Sequence, residues 1–286
     1  MNIPKFSCDS HMHVLGPQEK YPASPNRLYT PTEKSFHEYL SVSKSNDLQR
    51  AVLVQPSAYG FDNSYLLDTL RLYPENTRGV VVIDPLTADA SLDAMHAIGV
   101  RGIRLNLMTP RISNLDSAKE MLYPLAERLQ ARGWHLQIYA DTAIFATIAP
   151  ILRQLKIPVV LDHVAGVRST QGVDDPDFQT ILQLLSHDNC WVKVSGADIV
   201  SRQNYDFSSA APYMRAIIHT NPENILWGTD WPHLVHFSGP VGDEAPLAEY
   251  RPVNESRLLE LLFSCAQDDT IVEKILVLNP HRIYDF

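Results

Sequence analysis

The chain has 286 residues, 45% hydrophobic and 20% charged, with a formal net charge of −9. It is long enough to bury a large core without disulfides, and its negative balance argues against general attraction to nucleic acid or to an anionic membrane. Cys8, Cys190 and Cys265 are widely spaced and in no ligand pattern, residues 1–5 hold no apolar signal core, and no run approaches a membrane span, so a reduced, cytoplasmic setting is expected.

Short β-rich runs alternate with amphipathic stretches. Residues 6–10 predict a first strand, followed by a proline-rich polar segment at 16–35. Residues 51–55 predict the second, after which Asp62 opens a helix carrying Leu66, Leu67 and Leu70. Strands three and four are expected at 79–83 and 102–105. Leu122, Leu125, Ala126 and Leu129 then share one helical face, and Gly133 can end that helix in a left-handed conformation. Strands five and six are expected at 134–139 and 159–162. Asp175 and Pro176 read as a helix N-cap and first helical residue, ahead of a stripe of Phe178, Ile181, Leu182 and Leu185. Strands seven and eight, at 191–194 and 225–228, are followed by irregular segments at 196–211 and 235–254, and residues 255–265 and 269–278 predict closing helices. Eight short apolar strands alternating with helices predict one domain over residues 1–286, a distorted (β/α)8 TIM barrel. The three irregular segments then leave the C-terminal ends of strands, where they would form long walls or lids of a site. The sequence leaves the oligomeric state open.

Four motifs carry the chemistry. In Asp9-Ser10-His11-Met12-His13, alternation along an extended chain lets His11 and His13 converge at the mouth of the first strand, where two imidazoles can bind a divalent metal or polarise a substrate oxygen. His163, directly after the sixth strand, reaches the same rim; Asp162 is expected to point the other way, toward backbone. Asp230, in Trp227-Gly228-Thr229-Asp230-Trp231-Pro232-His233, follows the last strand and comes beside His11 and His13 once the barrel closes. A carboxylate there can orient water and remove its proton. In Gly102-Ile103-Arg104-Leu105-Asn106, the period of two puts Arg104 and Asn106 on one face, toward the mouth, where an arginine suits bidentate binding of a carboxylate. Arg111, Tyr139 and Arg202 follow other strand ends and could add donors. A local basic cluster in so acidic a chain points to a small anionic substrate. No nucleophile elbow, P-loop, dinucleotide fingerprint or zinc-type cysteine pair is present, so hydrolysis by activated water is the chemistry the residues suggest.

These motifs, with Val14-Leu15-Gly16-Pro17 and Leu28-Tyr29-Thr30-Pro31, resemble the 2-pyrone-4,6-dicarboxylate lactonase group of the amidohydrolase superfamily, in the same order from about residue 6 to residue 284. The resemblance implies hydrolysis of a cyclic ester of an organic acid, as in aromatic-compound catabolism. It implies that Asp230 activates water, that His11, His13 and His163 polarise the lactone carbonyl and stabilise the oxyanion, and that Arg104 and Tyr139 hold substrate carboxylates. Arg111 matches a second family arginine with a one-residue shift, and His233 joins the substrate-binding set. Residues 194–198 depart from the pattern near a further family arginine, so Arg202 replaces it or the contact is absent. The group also includes lactonases for sugar acids and sulfonated muconolactones and an aldonolactone isomerase.

The resemblance favours catalysis without a metal cofactor. The alternative is a mononuclear metal-dependent amidohydrolase or decarboxylase, with zinc or manganese held by His11, His13, His163 and Asp230. A two-metal site is not expected, because residues 134–139 offer no bridging lysine or carboxylate and 191–194 no histidine. A non-catalytic organic-acid binder would keep Arg104 but have no need of Asp230.

Overall fold

The computed structural model describes residues 1–107, 115–200, 207–235 and 240–286. Eight parallel strands pair in chain order: β1 (Cys8–Met12), β2 (Arg50–Val54), β3 (Thr77–Val81), β4 (Val100–Asn106), β5 (His135–Tyr139), β6 (Val159–Leu161), β7 (Cys190–Lys193) and β8 (Ile225–Leu226). Backbone bonds close the ring between β1 and the chain leaving β8. Ser10 N donates to Trp227 O, Asp230 N to His11 O and His13 N to Trp231 O, each at 2.8 Å. The fold is the expected (β/α)8 TIM barrel.

Strand boundaries lie within about two residues of expectation. β1 starts at Cys8 rather than Phe6; Phe6 has φ 66°, a left-handed conformation that cannot begin a strand. The helices outside the sheet are α1 (Phe36–Ser45), α2 (Ser64–Leu72), α3 (Asp89–Ala97), α4 (Leu115–Gln130), α5 (Thr142–Leu152) and α6 (Pro176–Leu185), then a single turn α7 (Ala197–Val200), α8 (Ala211–Thr220) and α9 (Glu255–Ala266). Asp175 caps α6 by accepting from Asp177 N and Phe178 N, with Pro176 in the first turn. Gly133, after α4, has φ 65° as expected. The start of α2 differs by one residue: Asn63 holds the cap position, and Asp62 instead accepts from Ser64 N at 3.0 Å. The helix expected at 269–278 divides into α10 (Asp269–Glu273) and a wider π-type turn (Lys274–Leu278), followed by α11 (Asn279–Tyr284).

Two layers of burial result. Ile103, Leu122, Ile138, Phe178 and their neighbours fill the space between sheet and helices, whereas Cys8, Val52, Val54, Val80, Val160, Trp191 and Leu226 point inside the barrel and meet Ile283 and Tyr284. Two of the three irregular segments are stitched together over the C-terminal face. Thr30 N donates to Pro246 O at 2.7 Å, Ala248 N to Thr30 O at 2.8 Å, and the hydroxyls of Thr32 and Tyr250 lie 2.8 Å apart. They form a wall fixed by main-chain bonds.

Candidate active site

The two histidines of β1 reach the barrel mouth because the strand carries a bulge. Cys8 and Asp9 lie opposite Arg50 and Ala51, but Met12 lies opposite Leu53, so β1 has one extra residue between Asp9 and Met12. Cys8 points inward and Asp9 outward. Without the extra residue, Met12 would point inward and both histidines away. The bulge reverses the parity, packs Met12 against the helices and turns His11 and His13 inward. Asp9 locks this closure from outside. It accepts from Thr229 Oγ1 (2.6 Å), Thr229 N (3.0 Å), Tyr39 OH (3.0 Å) and His11 N (3.1 Å).

His163 and Asp230 arrive by backbone turns. Val160 points into the barrel, so Asp162, two residues on, does so as well. His163 would face outward in an extended chain, but its φ/ψ of 52°/65° swings it back over the mouth. Asp230 (φ 64°) follows β8 in the same manner. Left-handed backbone is costly for residues with a side chain and concentrates at functional sites.

The four residues form one buried cluster. Asp230 Oδ1 lies 3.5 Å from His13 Nε2, 3.7 Å from His11 Nε2 and 3.8 Å from His163 Nε2. Burial pushes the Asp230 carboxyl up, but His163, His13 and His11 outweigh it and hold the group well below the usual carboxylate range. Burial depresses His11 and His163, more strongly than nearby carboxylates raise them. The site therefore presents an ionised carboxylate facing the imidazoles of His11 and His163, which resist a second proton.

The other expected residues divide. Arg104 is buried on β4, with its guanidinium carbon 5.4 Å from the Tyr139 ring centre; the Tyr139 ring in turn meets His163 edge-on at 5.2 Å. Asn106 is exposed at the end of the same strand. His233 is buried, and its Nε2 lies 3.1 Å from Glu255 Oε1 at the start of α9, so that ring nitrogen is engaged with structure. Arg111 and Arg202 lie outside the described residues. One expectation is overturned. Asp162 does not turn to backbone; it lies in the barrel interior as the anion of a polar network, because β6 keeps its alternation through Asp162 N, which donates to Ile138 O. Its carboxylate lies 3.4 Å from His11 Nδ1, 3.5 Å from Arg104 Nε and 3.9 Å from Lys193 Nζ, and accepts from Gln137 Nε2 at 2.8 Å. Burial opposes its charge, but His11 and Lys193 hold its carboxyl below the ordinary range.

Gln137, Lys193 and Arg251 escaped the sequence reading. Lys193 is fully buried beneath the histidines, donates to Gln137 Oε1 at 2.6 Å and is pulled down to about 8 by burial. Its signal was a lysine inside the apolar run Cys190-Trp191-Val192-Lys193-Val194. Arg251, in the segment after β8, brings its guanidinium NH2 to 3.8 Å from Asp230 Oδ2; nothing in its sequence neighbourhood marks it.

The ring tautomers define what the cluster can hold. His13 Nδ1 is 2.7 Å from Val54 O, which can only accept, so that nitrogen carries the proton. The Asp162 carboxylate favours the proton on His11 Nδ1 in the same way. Both Nε2 lone pairs then face Asp230 Oδ1, and a positive charge is needed between them: a proton or a metal ion. Partners on Nδ1 that free Nε2 are typical of ligating histidines. The donor atoms of His11, His13 and Asp230 lie within 4.8 Å of one another, as do those of His11, Asp162 and His163. The donor set fits one divalent cation.

The amidohydrolase family model matches residues 8–286. The chain is 32% identical over 283 residues to a 4-sulfomuconolactone hydrolase of Hydrogenophaga intermedia, covering 99% of this chain and 89% of that one. It is 29% identical over 291 residues to a 2-pyrone-4,6-dicarboxylate hydrolase of Comamonas testosteroni, covering 99% and 91%. A solved structure of a putative 2-pyrone-4,6-dicarboxylic acid hydrolase from Pseudomonas putida superposes with a TM-score of 0.82 at 28% identity, over 99% of this chain and 98% of that one. With a match that spans the barrel from its first strand to its last residue, the chain belongs to the amidohydrolase family.

Proposed function

We propose that this chain hydrolyses a small lactone carrying at least one carboxylate or sulfonate. The observation that carries the reading is the Asp230 carboxylate facing three imidazoles at a barrel mouth, with Arg104 and Tyr139 alongside. The relatives named as sulfomuconolactone and pyrone-dicarboxylate hydrolases support it from outside. Asp230 takes a proton from water as the oxygen attacks the lactone carbonyl carbon. In this reading His13 carries a proton on Nε2 as well as on Nδ1, and that N–H donates to the carbonyl oxygen as it becomes negative, with His11 and His163 beside it. The ring C–O bond then breaks to give a free acid and an alcohol. Arg104 and Tyr139 hold the substrate's anionic group.

A second reading keeps the same reaction with a metal ion, and the two Nε2 lone pairs facing Asp230 favour it. His11, His13, His163 and Asp230 would hold a zinc or manganese ion, which supplies polarisation of the carbonyl and a lower pKa for water. Turnover on a panel of anionic and neutral lactones tests the function. Asp230→Asn is expected to keep the fold and ligand binding while lowering turnover by roughly 10²–10⁴-fold. Near-normal turnover in that variant removes Asp230 as the base, and a preference for neutral sugar lactones removes the anionic substrate. Elemental analysis, with activity before and after chelation, separates the two readings: stoichiometric metal whose removal abolishes turnover establishes the second.

A further inference from the structure

Asp230 has two carboxylate oxygens in different surroundings. Oδ1 faces His11, His13 and His163, and Oδ2 faces Arg251 NH2 at 3.8 Å. Arg251 is held from behind. Its Nε donates to Asp198 Oδ2 at 2.6 Å, its NH1 to Leu234 O, and its backbone N to His233 O at 2.8 Å. Its side chain is 10% exposed, and Asp198 is fully buried. The remaining nitrogen, NH2, is buried with no hydrogen-bond partner. A guanidinium fixed on two edges thus aims its third, unpaired edge beside the carboxylate oxygen that the histidines leave free.

The geometry points to Arg251 as the residue that positions the attacking water, a role that rests on Asp230 being the base. The gap has an unpaired donor on one side and an acceptor on the other, too far apart to bond directly. A water molecule suits it because it can accept from Arg251 NH2 while donating to Asp230 Oδ2. A substrate carboxylate does not suit it. It can only accept, it would lie against the Asp230 charge, and Arg251 already has Asp198 and Asp230 as counter-charges. The water's second proton is then directed away from Asp230, and a lone pair is left for the lactone carbonyl carbon. Arg251 donates a hydrogen bond throughout and neither gains nor loses a proton.

The test uses the full-length enzyme and the lactone that it turns over best. Arg251→Met alone strands the buried Asp198 charge, so the informative variant is Arg251→Met with Asp198→Asn, checked for folding by thermal unfolding. We expect kcat to fall by about 10²-fold with KM changed by less than about threefold. Added hydroxylamine gives a readout that a merely structural role would not move. Its nitrogen attacks the carbonyl carbon in place of water, the ring C–O bond breaks, and a hydroxamic acid forms. With water misplaced, the ratio of hydroxamate to acid product should rise by about the factor by which kcat falls. An unchanged kcat in the folded double variant overturns the proposal, as does a raised KM at unchanged kcat or an unchanged product ratio. Asp230→Asn run in parallel separates the two failures. If it retains turnover, the general-base reading has failed; if it loses turnover while the Arg251 variant does not, only the role of Arg251 has.

Discussion

Arg104 has an anion beside it before any substrate arrives. Asp162 Oδ2 lies 3.5 Å from its Nε, and Lys193 lies on the far side of the same carboxylate. The alternation of Gly102-Ile103-Arg104-Leu105-Asn106 was enough to turn Arg104 inward, but the carboxylate that compensates it comes from β6. With two cations to one carboxylate, this network retains positive charge beneath the mouth, which suits an anionic substrate. Arg104→Met is expected to lower kcat/KM for an anionic lactone by about 2–5 kcal/mol, as for one side of a buried charged pair, and much less for a neutral lactone. Steady-state kinetics on a matched anionic and neutral pair measures this; equal losses on both would make Arg104 a support for Asp162 rather than a substrate contact. The histidines and Asp230 were readable as residues because strand ends are where barrel enzymes gather chemistry. Arg251 was not, because a loop arginine is usually solvated and only the fold reveals it wedged between Asp198 and Asp230.

Three local backbone devices aim the site: the bulge in β1, the left-handed turn at His163 and the left-handed turn at Asp230. The first depends on a tight crossing. A Cβ on Gly228 would lie 2.6 Å from both His11 Cβ and His11 N, closer than real Cβ contacts, and 3.0 Å from Asp9 Oδ1. The two His11 atoms are backbone and the root of a side chain, so they have little freedom to yield. Gly228→Ala is expected to push β1 from the chain leaving β8, destabilise the fold by about 1–3 kcal/mol and lower kcat. Urea unfolding and kinetics check both; wild-type stability with wild-type kcat would show that the closure has slack. The eight strands could be read from the sequence as apolar runs, yet the bulge could not. An extra residue leaves no hydrophobic signature when both neighbouring parities, Ser10 and His11, are polar.

At the scale of the whole molecule, the barrel interior buries ionisable groups among its apolar side chains, and this makes stability depend on pH. His135, inside β5, is pulled from 6.5 to about 3 by burial, and His11 and His163 are depressed in the same direction. The folded protein refuses protons that the unfolded chain accepts, so stability is full above pH 6.5 and is lost as pH falls from there toward about 3. His135 adds a slope of up to about 1.4 kcal/mol per pH unit in that window, and His11 and His163 act in the same direction. Denaturant unfolding at pH 7 and pH 5 should show the loss, and His135→Leu should reduce it by about one proton's worth; an unchanged slope would mean that His135 titrates normally in the folded state. The order of the elements, the barrel they form and the four residues at its mouth follow from sequence alone, because burial on both faces and strand-end placement impose local patterns that a single chain displays. The inward turn of Asp162, the burial of Lys193, the stitching of the two loops and the place of Arg251 were decided by tertiary structure. Each is an interaction between residues far apart in the chain, and a buried charge has no local pattern to announce the partner that makes its burial tolerable.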